Sequence, residues 1–359
     1  MTLMPFLYLA LGLVLLVAGA EVLVRGATRL AAAFGISPLV VGLTVVAFGT
    51  SAPEMAVSVQ SSLSGTGDIA LGNVVGSNIF NVLAILGLSA LVVPMLVSRQ
   101  LIRQDVPVMV AASVLAFALA FDGTLGRIDG LVLFAGVIAY TAFLIVSSRR
   151  QQKLANDEFA REYGPAEAPQ SDSWLKNALF VAAGLVLLVV GSDLLVSGAV
   201  VLARALGLSE LVIGLTIIAA STSLPEVATS VTAALKGERD IAVGNVVGSN
   251  IFNLLAVLGL ASLVAPEGLA VPASALAFDF PVMLAVAIAC LPIFFSGYVV
   301  NRWEGLLFLG YYVAYTTHLV LSAGGTNAPG LFQQAMVWYV MPLTAVTLLV
   351  IGIRSWRAQ

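Results

Sequence analysis

The sequence is poor in the residues that metalloenzymes and disulfide-rich proteins need. Among its 359 residues there is one cysteine, Cys290, and one histidine, His318. A single cysteine excludes an internal disulfide framework, and a lone histidine is more typical of packing than of metal binding. Zinc and copper sites built from thiolate and imidazole ligands are therefore not expected.

Charge is scarce as well. Only 10% of the residues are charged and 60% are hydrophobic, which gives a mean hydropathy of +1.05. These values lie far outside the range of a water-soluble globular domain. We therefore expect an all-α polytopic membrane protein whose solvent is the lipid bilayer, with no nucleic-acid partner and no cofactor.

Apolar stretches long enough to cross a bilayer as helix, about 17–25 residues, recur along the whole chain. The first stretch lacks a basic leader and a convincing cleavage site, so we expect a retained helix rather than a signal peptide. The pattern predicts eleven transmembrane helices, at residues 4–24, 38–63, 70–93, 106–121, 127–148, 175–199, 209–235, 242–264, 278–296, 303–322 and 332–353.

The 16 lysines and arginines predict the orientation, because short loops rich in these residues stay in the cytoplasm. If the N-terminus lies outside, the outer segments keep only Arg127 and Arg204. The other basic residues then all lie on the cytoplasmic side. We therefore predict an N-terminus outside and a C-terminus in the cytoplasm.

The chain contains an internal repeat. Residues 72–81, Gly-Asn-Val-Val-Gly-Ser-Asn-Ile-Phe-Asn, recur letter for letter at 244–253. Each copy holds five predicted spans, and an odd number inserts the second copy in the opposite orientation. The predicted organisation is a first five-helix repeat (1–148), a cytoplasmic linker (149–174), a second, inverted five-helix repeat (175–322) and an additional C-terminal transmembrane helix (323–359).

Two carboxylates lie deep in apolar spans. Glu54 is in the second span, and Glu226 is at the equivalent position of the seventh. Placing an ionisable group at that depth costs about 2.5–3.5 kcal/mol on insertion scales, so such residues usually have a partner or a function. Equivalent positions in inverted repeats predict one shared site near the middle of the membrane.

A proline precedes each of these carboxylates. It removes a backbone N–H and clashes with the carbonyl four residues back, which would free the carbonyls of Gly49 and Ser221. At helical spacing, neighbouring hydroxyls lie on the same face as each carboxylate. These hydroxyls belong to Thr50, Ser51, Thr222 and Ser223.

The repeated decapeptide adds a polar stripe at four-residue steps in the third and eighth spans. All its potential ligand atoms are oxygens, which suit Ca²⁺, Na⁺ or Mg²⁺ rather than softer metals. Six to eight flexible oxygens favour Ca²⁺ over Mg²⁺. The stripe consists of Asn73, Ser77 and Asn81, mirrored by Asn245, Ser249 and Asn253.

The other acidic residues near the ends of the spans are predicted to have structural roles. Glu21 precedes Arg25 by four residues near the cytoplasmic end of the first span, which predicts an interfacial ion pair. Four aspartates flank predicted spans, where helix capping and turn roles are expected. They are Asp68, Asp105, Asp240 and Asp279.

These motifs resemble those of the cation/Ca²⁺ exchanger superfamily and, within it, the prokaryotic sodium/calcium exchangers. Residues 42–92 and 214–264 are similar to the paired α-repeats of that family. The resemblance implies antiport of Na⁺ and Ca²⁺ across a prokaryotic inner (plasma) membrane. Alternating access there involves sliding of the first and sixth helices past the core.

The resemblance also implies a role for each matching residue. Residues equivalent to Glu54 and Glu226 bind Ca²⁺ in that family, and residues equivalent to Thr50 and Thr222 contribute backbone carbonyls. The family's Na⁺ positions are completed by residues that match Ser51, Ser77, Ser223 and Ser249.

The sequence departs from the family pattern at two positions. Ser221 replaces an expected glycine, and Asn253 stands where some prokaryotic relatives carry aspartate. The site then holds two carboxylates and the two amides of Asn81 and Asn253. A formal charge of minus two balances one Ca²⁺, two Na⁺ or two protons, so exchange of Ca²⁺, or another divalent cation, for H⁺ remains an alternative.

Two other functional classes do not fit the sequence. Gly65-Thr66-Gly67-Asp68 resembles the Gly-x-Gly-Asp element of intramembrane aspartyl proteases, but it falls in a short polar loop without a second intramembrane aspartate. A hydrolase would need an acid dyad, or a nucleophile with a base. A channel would need a continuous pore rather than a site closed alternately on each side. We therefore expect a transporter and no enzyme activity.

Overall fold

The structure is a computed structural model that describes residues 3–163, 174–206 and 219–323. Helices make up most of these residues. Part of the predicted linker (149–174), the start of the predicted span at 209–235 and the whole predicted eleventh span (332–353) lie outside the described residues.

Residues 3–163 form six helical elements and two short strands. Helices α2, α4 and α5 each contain a π-helical segment, at Gly42–Val46, Asn81–Leu86 and Leu101–Asp105. The elements are α1 (Met4–Phe34), α2 (Pro38–Thr50), α3 (Ala52–Leu63), α4 (Gly67–Val92), β1 (Met95–Leu96), α5 (Leu101–Asp122), β2 (Thr124–Leu125) and α6 (Arg127–Tyr163). Helix α6 thus continues into the segment predicted as a linker.

The second half repeats this order. Its described π-helical segments, Asn253–Val257 and Ala275–Asp279, occupy the same places as two of those in the first half. The described elements are α7 (Trp174–Ala205), α8 (Ala219–Ser221), α9 (Leu224–Leu235), α10 (Arg239–Val264), β3 (Leu269–Ala270), α11 (Ala275–Phe295), β4 (Val299–Val300) and α12 (Arg302–Ala323).

The helices confirm an all-α polytopic membrane protein. Within the described ranges, seven helices are long and apolar enough to cross a membrane, or eight if α2 and α3 form one bent span. Helix α12, with 22 residues, lies where the tenth span is predicted. The predicted total of eleven spans also depends on residues outside the described ranges.

Two antiparallel ribbons connect the halves. Strand β1 pairs with β4, and β2 pairs with β3. In the repeat, β3 is the counterpart of β1 and β4 the counterpart of β2. Exchanging the two halves therefore maps one ribbon onto the other, as an inverted repeat requires.

Helices α4 and α10, which carry the repeated decapeptide, form the centre of the molecule. Buried residues make up 78% of the apolar stretch of α4 and 89% of that of α10, against 28–39% in the other long apolar helices. The outer helices expose their remaining apolar side chains, as expected for a surface that faces lipid. The polar stripe thus lies in the protein interior.

Helices α1 and α7 pack closely through glycines. A Cβ atom added at Gly12 would lie 2.6 Å from the backbone nitrogen of Leu195, and one at Gly184 would lie 2.6 Å from that of Leu23. Small residues that let helix backbones approach are typical of membrane interfaces. The first and sixth predicted spans therefore form one tightly packed pair.

The interfacial ion pair is confirmed and extended by the structure. Glu21 is paired with Arg25, and its carboxylate also lies 3.1 Å from Nζ of Lys236. Lys236 directly follows α9, so this contact joins the C-terminal end of α9 to α1. Both residues belong to the predicted cytoplasmic side.

The capping role predicted for Asp105 and Asp279 is wrong. Neither side chain caps the α-helical segment that follows it. Instead, the hydroxyl of Tyr140 donates to Asp105 at 3.1 Å, and that of Tyr315 donates to Asp279 at 2.9 Å. Each aspartate is the last residue of a π-helical segment, and its carboxylate contacts a tyrosine of another helix, α6 or α12.

Asp68 and Asp240 are not helix caps either, because the N-cap positions of α4 and α10 are Thr66 and Glu238. The two aspartates lie in the first turns of these helices, where a negative charge favours the helix dipole. His318 packs against the ring of Phe278, with centroids 4.3 Å apart, and Cys290 is buried as a free thiol.

Candidate ion-binding site

The chain breaks its helix at the same place in both repeats. Ser51, with φ −80° and ψ 7°, separates α2 from α3, whose axes differ by 45°. Ser223, with φ −91° and ψ 7°, directly precedes α9. In each repeat a proline lies in the first turn after the break, where its missing N–H costs no helical hydrogen bond.

The two carboxylates are held by serines of the opposite repeat. Glu54 and Glu226 are both 0% exposed. Ser223 donates its hydroxyl to Oε1 of Glu54 at 2.7 Å, and Ser51 donates to Oε1 of Glu226 at 3.1 Å. Each serine was predicted to share a helix face with the glutamate of its own repeat. Its hydroxyl instead donates to the glutamate of the other repeat.

Serines of α4 and α10 join this arrangement. The hydroxyl of Ser223 lies 3.2 Å from that of Ser77. Ser249, the counterpart of Ser77, lies beside the Glu226 carboxylate, but its hydroxyl makes no hydrogen bond of good geometry in the described structure. The four predicted serines thus converge on the two carboxylates.

The threonine hydroxyls bond to amides of the opposite repeat. Thr50 donates to Oδ1 of Asn245 at 3.1 Å, and Thr222 donates to Oδ1 of Asn73 at 3.2 Å. With these hydroxyls engaged, each threonine's backbone carbonyl remains the group expected to face an ion. That role is still a prediction.

Asn73 and Asn245 are anchored by serines in turn. The amide nitrogen of Asn73 donates to the hydroxyl of Ser58 at 2.9 Å and to the carbonyl of Glu54 at 3.1 Å. In the second repeat, the amide nitrogen of Asn245 donates to the hydroxyl of Ser230 at 3.0 Å. These two members of the polar stripe therefore brace the broken helices.

Asn81 and Asn253 are both 0% exposed and start the π-helical segments of α4 and α10. The amide nitrogen of Asn81 donates to Oδ1 of Asn250 at 3.0 Å. Among the described residues, neither polar atom of Asn253 has a hydrogen-bond partner. The two amides are thus equivalent in sequence and different in environment.

Several buried oxygens at the site lack hydrogen-bond partners in the described part of the chain. Unpaired polar atoms are rare in protein interiors and often mark a binding role. Carboxylate, amide and hydroxyl oxygens are suitable ligands for a hard cation. The atoms are Oε2 of Glu54, Oε2 of Glu226, Oδ1 of Asn81, Oδ1 of Asn253 and Oγ of Ser249.

Comparison with known proteins identifies the family. A family profile described as "Sodium/calcium exchanger protein" matches residues 4–146 and 176–321. Together these segments cover well over half of the chain. The chain belongs to this family.

Curated relatives of the exchanger come from bacteria and archaea. The inner membrane protein YrbG of Escherichia coli is 42% identical over 78% of this chain and 85% of its own length. The putative antiporter CaxA of Alkalimonas amylolytica is 38% identical over 86% and 96%. The sodium/calcium exchanger MaX1 of Methanosarcina acetivorans is 35% identical over 86% and 97%.

Solved structures of the sodium-calcium exchanger NCX_Mj have the same fold. One, soaked with 2.5 mM Na⁺ and 0.1 mM Ca²⁺, superposes with a TM-score of 0.74 at 31% identity, over 91% of this chain and all of that one. Another, soaked with Na⁺ and Sr²⁺, gives a TM-score of 0.73 at 32% identity, over 87% and 97%. The exchanger is therefore an integral membrane transporter of the cation/Ca²⁺ antiporter type.

One carbonyl that proline was predicted to free has a partner in the exchanger. The carbonyl of Ser221 accepts a hydrogen bond from the hydroxyl of Ser192 on α7, at 2.8 Å. The residue equivalent to Ser192 in the first repeat is Ala20, which has no hydroxyl. This contact between α7 and a broken helix is thus specific to the second repeat.

Several residues of the exchanger's polar network were missed from the sequence. Asn250 belongs to the repeated decapeptide, and Ser58 and Ser230 share the repeat offset of 172. Comparing every polar pair at that offset would have found these three. Ser192 would not have been found, because its counterpart is Ala20.

Proposed function

We propose that this exchanger carries Ca²⁺ across the membrane in exchange for Na⁺, by alternating access to one site between the two broken helices. Its relative in Methanosarcina acetivorans is named a sodium/calcium exchanger, which supports the choice of ions. The proposed ligands are the carboxylates of Glu54 and Glu226, backbone carbonyls of Thr50 and Thr222, hydroxyls of Ser51, Ser77, Ser223 and Ser249, and amide oxygens of Asn81 and Asn253.

One observation carries the proposal. Ser223 donates to Glu54 and Ser51 donates to Glu226, so each carboxylate is held by the opposite repeat while its second oxygen lacks a partner within the described structure. A cation between the carboxylates would therefore contact both repeats. This arrangement supports a single shared site rather than one site in each repeat.

Charge explains how such a site would couple two ions. Two carboxylates and otherwise neutral oxygens carry a formal charge of minus two, which one Ca²⁺ or two Na⁺ neutralise. In a buried site, binding Ca²⁺ and two Na⁺ at the same time would leave an uncompensated positive charge, at a high electrostatic cost. Ca²⁺ and Na⁺ then compete for one site, and competition combined with alternating access produces antiport.

The ligand set favours Ca²⁺ over Mg²⁺. Ca²⁺ accepts six to eight oxygens in flexible geometry, whereas Mg²⁺ demands near-ideal octahedral geometry and releases its water reluctantly. Amide, hydroxyl and carboxylate oxygens contributed by two repeats are better suited to the flexible coordination of Ca²⁺. Another divalent cation remains part of the alternative.

Exchange of Ca²⁺ for H⁺ is the second candidate, because two protons also neutralise Glu54 and Glu226. The test is uptake of radiolabelled Ca²⁺ into proteoliposomes that are loaded with Na⁺, given a pH gradient, or given neither. We expect uptake with the Na⁺ load alone. Uptake driven only by the pH gradient would show that the coupled ion is H⁺ and not Na⁺. The absence of uptake with either gradient would refute antiport of Ca²⁺.

We also propose the orientation, with the N-terminus outside and the C-terminus in the cytoplasm of a prokaryotic inner membrane. The distribution of lysine and arginine supports it, and so does the name of the Escherichia coli relative, an inner membrane protein. Glu21 and Lys236, which pair in the fold, then lie on the same side of the membrane, as they must.

A further inference from the structure

Asn250 connects the two repeats beside the proposed site. It lies in α10, is 2% exposed, and contacts three groups of the other repeat. Its amide nitrogen lies 3.3 Å from the backbone carbonyl of Asn78 and 3.5 Å from the sulfur of Met109. Its amide oxygen accepts the hydrogen bond from Asn81 at 3.0 Å.

The partners of Asn250 determine which way its amide points. A backbone carbonyl and a thioether sulfur only accept hydrogen bonds, so the NH₂ group of Asn250 must face Asn78 and Met109. Its oxygen is then turned toward Asn81. Because that oxygen only accepts, Asn81 must present its own NH₂ group to Asn250.

The orientation of Asn81 follows from this chain of contacts. Its oxygen Oδ1 points away from Asn250, is buried and has no partner among the described residues. Asn81 lies one helical turn, about 6 Å along the axis, beyond Ser77, which contacts the Ser223 hydroxyl. The unpaired oxygen thus belongs to the same buried polar region as Glu54.

We propose that Asn250 is a positioning residue that fixes the amide of Asn81 with its oxygen, rather than its NH₂ group, facing the transported cation. The inference rests on the ion site proposed above. An amide turned the other way would present hydrogen atoms with partial positive charge to the cation and would remove one ligand. Mutation of a residue that orients a metal ligand typically lowers metal affinity by about 10- to 100-fold.

Asn253 is not oriented in the same way as Asn81, although the equivalent pair of asparagines is present. Asn78, the counterpart of Asn250, donates its amide to the Val74 carbonyl of its own helix at 2.7 Å. It is not bonded to Asn253, whose amide has no partner in the described structure. The exchanger therefore has one fixed amide ligand and one whose orientation its neighbours leave open.

The test is equilibrium binding of radiolabelled Ca²⁺ to purified full-length variants. Asn250→Leu should raise the Kd by about 10- to 100-fold. In an Asn81→Asp background the same change should alter the Kd less than about threefold, because a carboxylate presents an oxygen in either orientation. Asn78→Leu is the matched control, equally buried and in the same motif, and should leave the Kd near that of the unmodified protein.

Equal effects of Asn250→Leu in both backgrounds, or no effect in either, would overturn the inference. Size-exclusion profiles and Tm in Ca²⁺-free buffer check folding. If Asn250→Leu does not fold, Asn250→Ser replaces it, since serine is too short to reach the Asn81 amide. No saturable Ca²⁺ binding by the unmodified protein would overturn the proposed function, whereas normal binding by both Asn250→Leu and Asn78→Leu would overturn this inference alone.

Discussion

Asn253 is the residue at which the site departs most from its own internal symmetry. Its counterpart Asn81 is oriented by Asn250, whereas both polar atoms of Asn253 lack partners in the described part of the chain. Some prokaryotic relatives are expected to carry aspartate at this position. The side chain at this position therefore determines the formal charge of the proposed site, and it is a proposed ligand that no described neighbour orients.

Asn253→Asp should change ion coupling more than Ca²⁺ affinity. A third carboxylate can take up a proton when Ca²⁺ is bound, so Ca²⁺ would meet nearly the same charge as before. When Na⁺ replaces Ca²⁺, the extra negative charge can hold another cation. We expect a shift in the membrane voltage at which Ca²⁺ flux reverses in proteoliposomes under fixed Na⁺ and pH gradients. An unchanged reversal voltage in an active variant would show that this position does not set stoichiometry.

The sequence predicted which polar side chains the fold buries together better than it predicted their partners. Nine of the ten predicted ligands are at most 3% exposed. The tenth, Thr222, is partly buried and donates to Asn73 of the other repeat. Helical spacing shows which residues share a face. Helical spacing does not show which residues of the other repeat face that side. The hydrogen bonds from Ser223 to Glu54 and from Ser51 to Glu226 are therefore known only from the structure.

At the scale of the helical elements, the prolines predicted the breaks before Glu54 and Glu226, but the π-helical segments were not predicted. Two of these begin at Asn81 and Asn253, where they widen the helix at a buried amide. Such segments are common at functional sites, yet a single inserted residue leaves hydrophobic periodicity almost unchanged. Their positions become apparent only when backbone hydrogen bonds are known.

Helices α1 and α7 should tolerate no added volume at their contact. A Cβ atom at Gly184 would meet backbone and Cβ atoms of Leu23 at 2.6–2.8 Å, so Gly184→Ala should destabilise the fold by about 1–3 kcal/mol. Gly136→Ala is the control, because its Cβ atom would lie in ordinary contact, 3.4 Å from the Leu255 side chain. Thermal unfolding in detergent measures both. Equal midpoints for the two variants would contradict the close packing of α1 against α7.

At the scale of the whole molecule, the repeat predicted the arrangement of the described helices, since a repeat of five spans, an odd number, requires the second copy to be inverted. The ribbons of β1 with β4 and β2 with β3 were not predicted, because two-residue strands leave no recognisable pattern in the sequence. The predicted repeat boundaries, the linker and the eleventh helix extend beyond the described residues and remain predictions.

Labelling of single cysteines should establish the orientation. In a Cys290→Ser background, Thr124→Cys is predicted to react with a membrane-impermeant maleimide in intact cells, because Thr124 is exposed and lies at the predicted outer face. Arg150→Cys and Gln359→Cys should react only after the membrane is permeabilised. Labelling of Gln359→Cys in intact cells would mean an even number of spans and would refute the predicted total of eleven.

The shared site is tested most directly by counting bound ions. Purified protein should bind one Ca²⁺ per chain, and Glu54→Gln and Glu226→Gln should each abolish that binding while leaving size-exclusion profiles unchanged, because the amide keeps the shape of the side chain and removes its charge. Equilibrium binding of radiolabelled Ca²⁺ gives both the number of ions and the Kd. Two ions per chain, with each single variant losing only one of them, would contradict a site formed jointly by the two repeats.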